Sequence, residues 1–121
     1  IGLIDEGCVP QLFAEGAYNQ RLETICDVPK GKTVWWFDLT DMDRAKKTVG
    51  QVACIAGNVP VSLLCTATID EVKAYCKNLM DVAGRDGGFI FSTGAGMQGA
   101  KAENVKAMID FAKQYAGGNY V

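Results

Sequence analysis

Residues 52–91 read VACIAGNVPVSLLCTATIDEVKAYCKNLMDVAGRDGGFIF, and the alternation inside this stretch decides the fold. Residues 52–56 are an apolar run too short for a helix, and residues 88–91 are another. Between them, residues 68–83 place Ile69, Val72, Cys76, Leu79, Met80 and Ala83 on one helical face, and Thr68 with Glu71 has capping-box spacing. An amphipathic helix set between two short apolar runs is the signature of a βα repeat.

The same alternation runs outward in both directions. Apolar runs at residues 9–14 and 33–38 each precede a helical stretch, at 18–26 and 41–49, and a last helix is predicted over 102–115. That helix carries Val105, Met108, Ile109 and Ala112 on one stripe, with Lys101, Glu103, Lys106 and Lys113 left for solvent. Only the end, Gly117 to Val121, reads as frayed. The class is therefore α/β, with about four βα units and strands that read as buried on both faces of a parallel sheet. Four such units build either a small doubly wound sheet or half of a closed barrel, and no GxGxxG or P-loop fingerprint favours a nucleotide-binding version.

Composition removes several functions. A chain of 121 residues with 49% hydrophobic and 21% charged residues holds one core and no second domain. Its net charge of −2 and pI near 5.0 leave no basic face for a phosphate backbone, so no nucleic acid is expected as a partner. No apolar run approaches the roughly 20 residues that cross a bilayer, so no membrane is expected either. The chain begins at Ile1 without a signal pattern, and an upstream segment is expected. Five cysteines, Cys8, Cys26, Cys54, Cys65 and Cys76, form an odd set with no CxxC, which reads as free buried thiols in a reducing cytoplasm. With no histidine, Ser/His/Asp and Cys/His catalysis and every His-ligated metal are absent from within the chain.

Polar groups that end parallel strands converge on one rim, where substrates bind. The four rim segments, FAEGAYNQR, WWFDLTDMD, AGNVPVS and FSTGAGM, offer Glu15, Tyr18, Asn19, Arg21, Asp38, Thr40, Asp41, Asn58, Ser92 and Thr93. Glu15, directly after an apolar run, is expected at a partly desolvated strand tip suited to general acid–base work, or else paired with Arg21 across the turn. Asp38 is a second candidate catalytic carboxylate, while Asp41 or Thr40 is placed to cap the following helix. Asn58 either bonds its own backbone in a turn or offers its amide to a substrate carboxylate or carbonyl. The glycines from Gly94 to Gly96, beside Ser92 and Thr93, can bring backbone N–H groups to an anion. Of Trp35 and Trp36, one is expected to face the interior and the other the helices.

The motifs EGCVPQLFAEGAYNQRLETICDVPKGKTVWWFD, GNVPVSLL, DEVKAYCKNLMDVAG, GGFIFSTGAGM and AENVKAMIDFAKQY, in this order, resemble the last four βα units of the uroporphyrinogen decarboxylase superfamily across roughly residues 5–115. The resemblance implies the C-terminal half of a TIM-like (β/α)8 barrel, a single partial domain over residues 1–121. It implies strands five to eight, with Glu15, Asp38, Asn58 and the Ser92 to Gly96 loop at the pocket mouth. It also implies an enzyme acting on a tetrapyrrole or a methylated small substrate, with Glu15 and Asp38 catalytic and Tyr18, Arg21, Asn58, Ser92, Thr93 and Gly94 binding substrate.

In the decarboxylase branch the resemblance implies no cofactor. The alternative branch is corrinoid-dependent methyl transfer, with zinc or a corrinoid partner. There a His-x-Cys pair and a third cysteine hold zinc where this chain has Phe13, Glu15 and Ala95. A histidine common in the decarboxylase branch also falls at Ala95, and the tetrapyrrole-binding arginines and aspartate belong to the family's N-terminal half. The missing half-barrel is one expected partner. A second copy of the chain is the other, because four strands with open edges can close by symmetric pairing into a homodimer without catalysis.

Overall fold

The computed structural model describes residues 1–119. Four strands, β1 (Gln11–Ala14), β2 (Val34–Phe37), β3 (Cys54–Val59) and β4 (Phe89–Thr93), form one parallel sheet in the order β1-β2-β3-β4. Each strand pairs with its successor in sequence, so the sheet has no point at which the winding reverses, unlike a doubly wound sheet. The expected strands are all present, although β3 runs on to Val59, beyond the expected end at Ala56.

Residues opposite one another in register divide the sheet into two unlike faces. On one, Ala14, Phe37, Ile55 and Val59 are fully buried and pack with Leu64, Val72, Cys76, Leu79 and Met108 from the helices. Trp35 joins this core, whereas Trp36 lies on the opposite face against Phe13, with ring centroids 4.4 Å apart. The two tryptophans therefore divide as expected. Burial on both faces does not hold, because the helices cover one face and leave Phe13 42% and Ile90 50% exposed on the other. The Trp36 indole reaches across β3 to donate its Nε1–H to the Thr93 carbonyl at 2.7 Å. Small Ala56, the register partner of Trp36, is consequently only 2% exposed on this open face.

Helix α1 (Gly2–Asp5) precedes β1, and α2 (Met42–Lys47) follows β2 with Asp41 as its cap, the Asp41 carboxylate accepting the N–H groups of Asp43 and Arg44. Helix α3 (Val61–Thr66) starts at Pro60, and α4 (Ile69–Ala83) carries the expected capping box of Thr68 and Glu71. Helix α5 (Ala102–Asn119) extends through Gly117, so the expected fraying does not begin at Gly117; Tyr120 and Val121, the rest of that expectation, lie outside the described residues.

Three helical expectations are corrected. Residues 18–26 form turns and one 3-10 turn (Thr24–Cys26) instead of an α-helix, because the backbone and side chains at Tyr18 and Asn19 are bonded to the loop after β2. Leu22 still reaches the core at 1% exposed. Ile69 and Ile109, expected on buried stripes, are 40% and 42% exposed. In α5 Asn104 is buried beside Met108, and its Nδ2 donates to the carbonyls of Leu64 and Ala67 at 3.0 and 2.9 Å and so ties the end of α3 to α5. Helices α1 and α3 themselves have no counterpart in the sequence expectation. All five cysteines are free, but only Cys76 is buried; Cys8 is exposed and the other three are intermediate.

Two outcomes follow from this core. Asn104→Ala takes its donor from the half-buried Ala67 carbonyl and leaves the Leu64 carbonyl with the Lys101 N–H alone, and is expected to cost about 1–3 kcal/mol in urea unfolding. Burial pushes the Cys76 thiol from its ordinary value of 9.0 up to about 11. Above about pH 9 the unfolded chain loses this proton while the folded chain keeps it, so stability falls as pH rises from about 9 to about 11. Cys76→Ala is expected to flatten that decline when unfolding is followed across the window.

Candidate functional site

Because all four strands are parallel, their C-terminal ends lie along one edge, and the rim residues meet there through backbone ties. Beyond β1, Gly16 adopts a φ of +80°, a conformation natural to glycine, and turns the chain toward the loop after β2. Its N–H donates to Asp38 Oδ2 at 3.0 Å, and its carbonyl accepts the Leu39 N–H at 3.0 Å. Further out, the Tyr18 N–H donates to Thr40 Oγ1 at 2.9 Å and the Asp41 N–H to Asn19 Oδ1 at 2.8 Å.

The third strand fastens the same loop from its other side. Asn58 Nδ2 donates to the carbonyls of Asp38 at 2.9 Å and Thr40 at 2.6 Å. The Asn58 side chain is 4% exposed and its Oδ1 is buried without a hydrogen-bond partner. It lines a cavity of about 210 Å³ against Tyr75, Asn78 and Leu79 of α4, so it faces the helical layer. Neither a self-bonded turn nor a free amide describes it.

The expected site residues fall into distinct settings. Glu15 is exposed and has no hydrogen bond or ion pair among the described residues, because it stands beyond the last strand residue with nothing packed above it. The expected partial desolvation is absent, and so is the pairing with Arg21, whose guanidinium lies 5.4 Å over the Tyr18 ring. Asp38 is half-buried at the junction of three loops, with Oδ2 taken by Gly16. The Ser92 hydroxyl donates to the Thr93 carbonyl at 3.0 Å, and the Thr93 hydroxyl to the Ala95 carbonyl at 2.7 Å. The structure thus brings Glu15, Asp38, Asn58 and Gly94 to one stretch of rim and leaves Tyr18 and Arg21 at its outer side.

Thr40 is the tie that sequence reading treated only as a possible cap. The three side-chain ties between the first two loops each span 22 residues, Gly16 to Asp38, Tyr18 to Thr40 and Asn19 to Asp41. That constant spacing is one residue shorter than the offset of the β1–β2 pairing, in which Ala14 faces Phe37, so it is legible only once the register is known.

The zinc set implied by the methyltransferase branch does not fit these residues. Of Phe13, Glu15 and Ala95, only Glu15 has a ligating atom, and no group of three His, Cys, Asp or Glu residues among the described residues stands close enough to hold a metal. No described helix is long and apolar enough to cross a membrane.

A family model described as Uroporphyrinogen decarboxylase (URO-D) matches residues 4–115. No curated protein matches the chain.

Gly94 shows how tightly this rim is packed. Its N–H donates to the Val59 carbonyl at 3.0 Å. A methyl group on it would lie 2.9 Å from the Asp38 carbonyl oxygen, 3.1 Å from its Cα and 3.2 Å from its Oδ1. Two of those atoms are backbone and cannot swing aside. Gly94→Ala is expected to push Asp38 off the Gly16 N–H and to cost about 1–3 kcal/mol, read as a lowered midpoint in thermal or urea unfolding.

Proposed function

The chain belongs to the uroporphyrinogen decarboxylase family, and from that premise we propose that it supplies strands five to eight of a closed (β/α)8 barrel enzyme that decarboxylates a tetrapyrrole or a related small substrate. The observation that carries this reading is a carboxylate with no partner among the described residues, Glu15, standing at the edge where four parallel strands end, beside an apolar face that the chain's own helices leave open. Barrels bind substrate at that edge and bury that face. Phe13, Trp36 and Ile90 would then form part of the inner wall below the pocket.

Decarboxylation breaks a carbon–carbon bond to a side-chain carboxylate, releases CO2 and puts a proton on the carbon left behind. The site must therefore hold a proton donor against the reacting carbon. Glu15 is the group free to do so. Asp38, with one oxygen already committed to Gly16, holds the neighbouring turn and sets its other oxygen against Gly94. Arg21 and Tyr18 would meet substrate carboxylates, whereas the Gly94 N–H is spent on the Val59 carbonyl and the Thr93 carbonyl on Trp36 and Ser92, so the Ser92 to Gly94 segment would shape the pocket mouth. On this reading the reaction needs no cofactor and runs in the cytoplasm.

The uncovered face and the unpaired edges of β1 and β4 call for four more strands, which we assign to further βα units of the same barrel. A second copy of this chain would meet the same geometric need and would give a homodimer.

Glu15→Gln removes the proton while keeping the shape. With a reduced, carboxylate-bearing tetrapyrrole as substrate for the intact protein, CO2 release is expected to drop by about 100-fold or more. An unchanged rate in the variant would remove Glu15 from the chemistry.

A further inference from the structure

We infer that Asn58 and Thr40 are positioning residues, which hold the Glu15–Gly16 turn and Asp38 in one fixed arrangement and do not themselves bind substrate. The inference rests on the enzymatic reading above for its purpose, and on the hydrogen-bond geometry for its substance.

The peptide that follows Glu15 is gripped from both sides, its N–H by Asp38 Oδ2 and the next carbonyl by the Leu39 N–H. The direction in which Glu15 leaves the rim is therefore set by where residues 38 and 39 stand. Those residues belong to a loop whose own place is set by Asn58, which donates to the carbonyls on either side of Leu39, at Asp38 and Thr40. Thr40, 3% exposed, closes the arrangement by accepting the Tyr18 N–H. Asn58 on β3 is thus linked to Glu15 on β1 through the loop after β2, without touching Glu15.

A substrate-binding role for the same amide conflicts with its chemistry. Both Nδ2 hydrogens are used by the two carbonyls, and Oδ1 is enclosed. Exchanging O and N of the amide would set an oxygen against two carbonyl oxygens, so the observed orientation is the one the loop enforces. An unpartnered Oδ1 costs free energy that a mere spacer would not need to carry.

The test is amide hydrogen exchange by NMR on the intact protein. Thr40→Val keeps the shape and removes the acceptor; Thr40→Ser restores it. In Thr40→Val the Tyr18 amide is expected to exchange about tenfold faster or more, and the Gly16 and Leu39 amides with it, while the ladder amides of Trp35 and Ile55 stay as they are. Thr40→Ser is expected to return all three amides to the wild-type pattern. Asn58→Ala is expected to release the Gly16 and Leu39 amides too, although its side chain contacts neither.

Acceleration confined to Tyr18 in Thr40→Val, or Gly16 and Leu39 amides unmoved by Asn58→Ala in a folded protein, would overturn the inference. In the decarboxylation assay, Asn58→Ala is expected to lower kcat about tenfold with KM within about twofold; a raised KM with kcat kept would return Asn58 to substrate binding. Absence of any CO2 release from the wild-type protein would count against the enzymatic reading alone, since the exchange pattern decides the positioning role by itself.

Discussion

Asp38 is where the separate βα units become one rim. Its carboxylate accepts from the turn after β1, its carbonyl accepts from Asn58 on β3, and its main chain lies against Gly94 after β4. Parallel strands have no hairpins to fix their ends, so each strand end is free unless loops bond sideways. One residue at the end of β2 meets that requirement for all three neighbours. Its position explains why a glycine stands opposite it there: a side chain at 94 would meet the Asp38 backbone and displace it.

Below the rim, the two sheet faces follow from the same parallel arrangement. Crossover connections carry the helices to one side, where Ala14, Phe37, Ile55 and Val59 meet α4 and its neighbours. The other side is left to side chains alone. Trp36 spans three strands there, tilted against Phe13 and hydrogen-bonded to the Thr93 carbonyl. The indole shields Ala56 and ties β2 to the end of β4, so this face is ordered although it is not covered. A wall built in this way has one surface covered by the chain's own helices and one on which Phe13 and Ile90 stay exposed.

Much of this was legible in the residues. The four apolar runs became the four strands, and the six-residue stripe beginning at Ile69 became α4, because a period of 3.6 over fifteen residues has no competing explanation. The sequence also marked Asp41 as a possible cap and one tryptophan for each face. The stretch at 18–26 misled for a physical reason. Tyr18, Leu22, Ile25 and Cys26 have helical spacing, but the donors and acceptors around Tyr18 and Asn19 are committed to a loop 22 residues away, which no local pattern records. The stripe of α5 was misplaced at Asn104 because a polar residue is buried only when its partners, here the carbonyls of Leu64 in α3 and of Ala67 just after it, are supplied by another part of the chain.

The sequence by itself determined the class, the order of the four strands with α2, α4 and α5, and which polar residues would stand at strand ends, since these depend on periodicity and on the chain's direction. The tertiary structure alone decided what those polar residues do there. Glu15 stands exposed because nothing is packed above it, while Asn58, a rim residue of the same apparent kind, is enclosed and spends both its donors on a neighbouring loop. The difference comes from the pairing register, which sets residue against residue across more than twenty positions and so assigns each side chain its partner or its freedom.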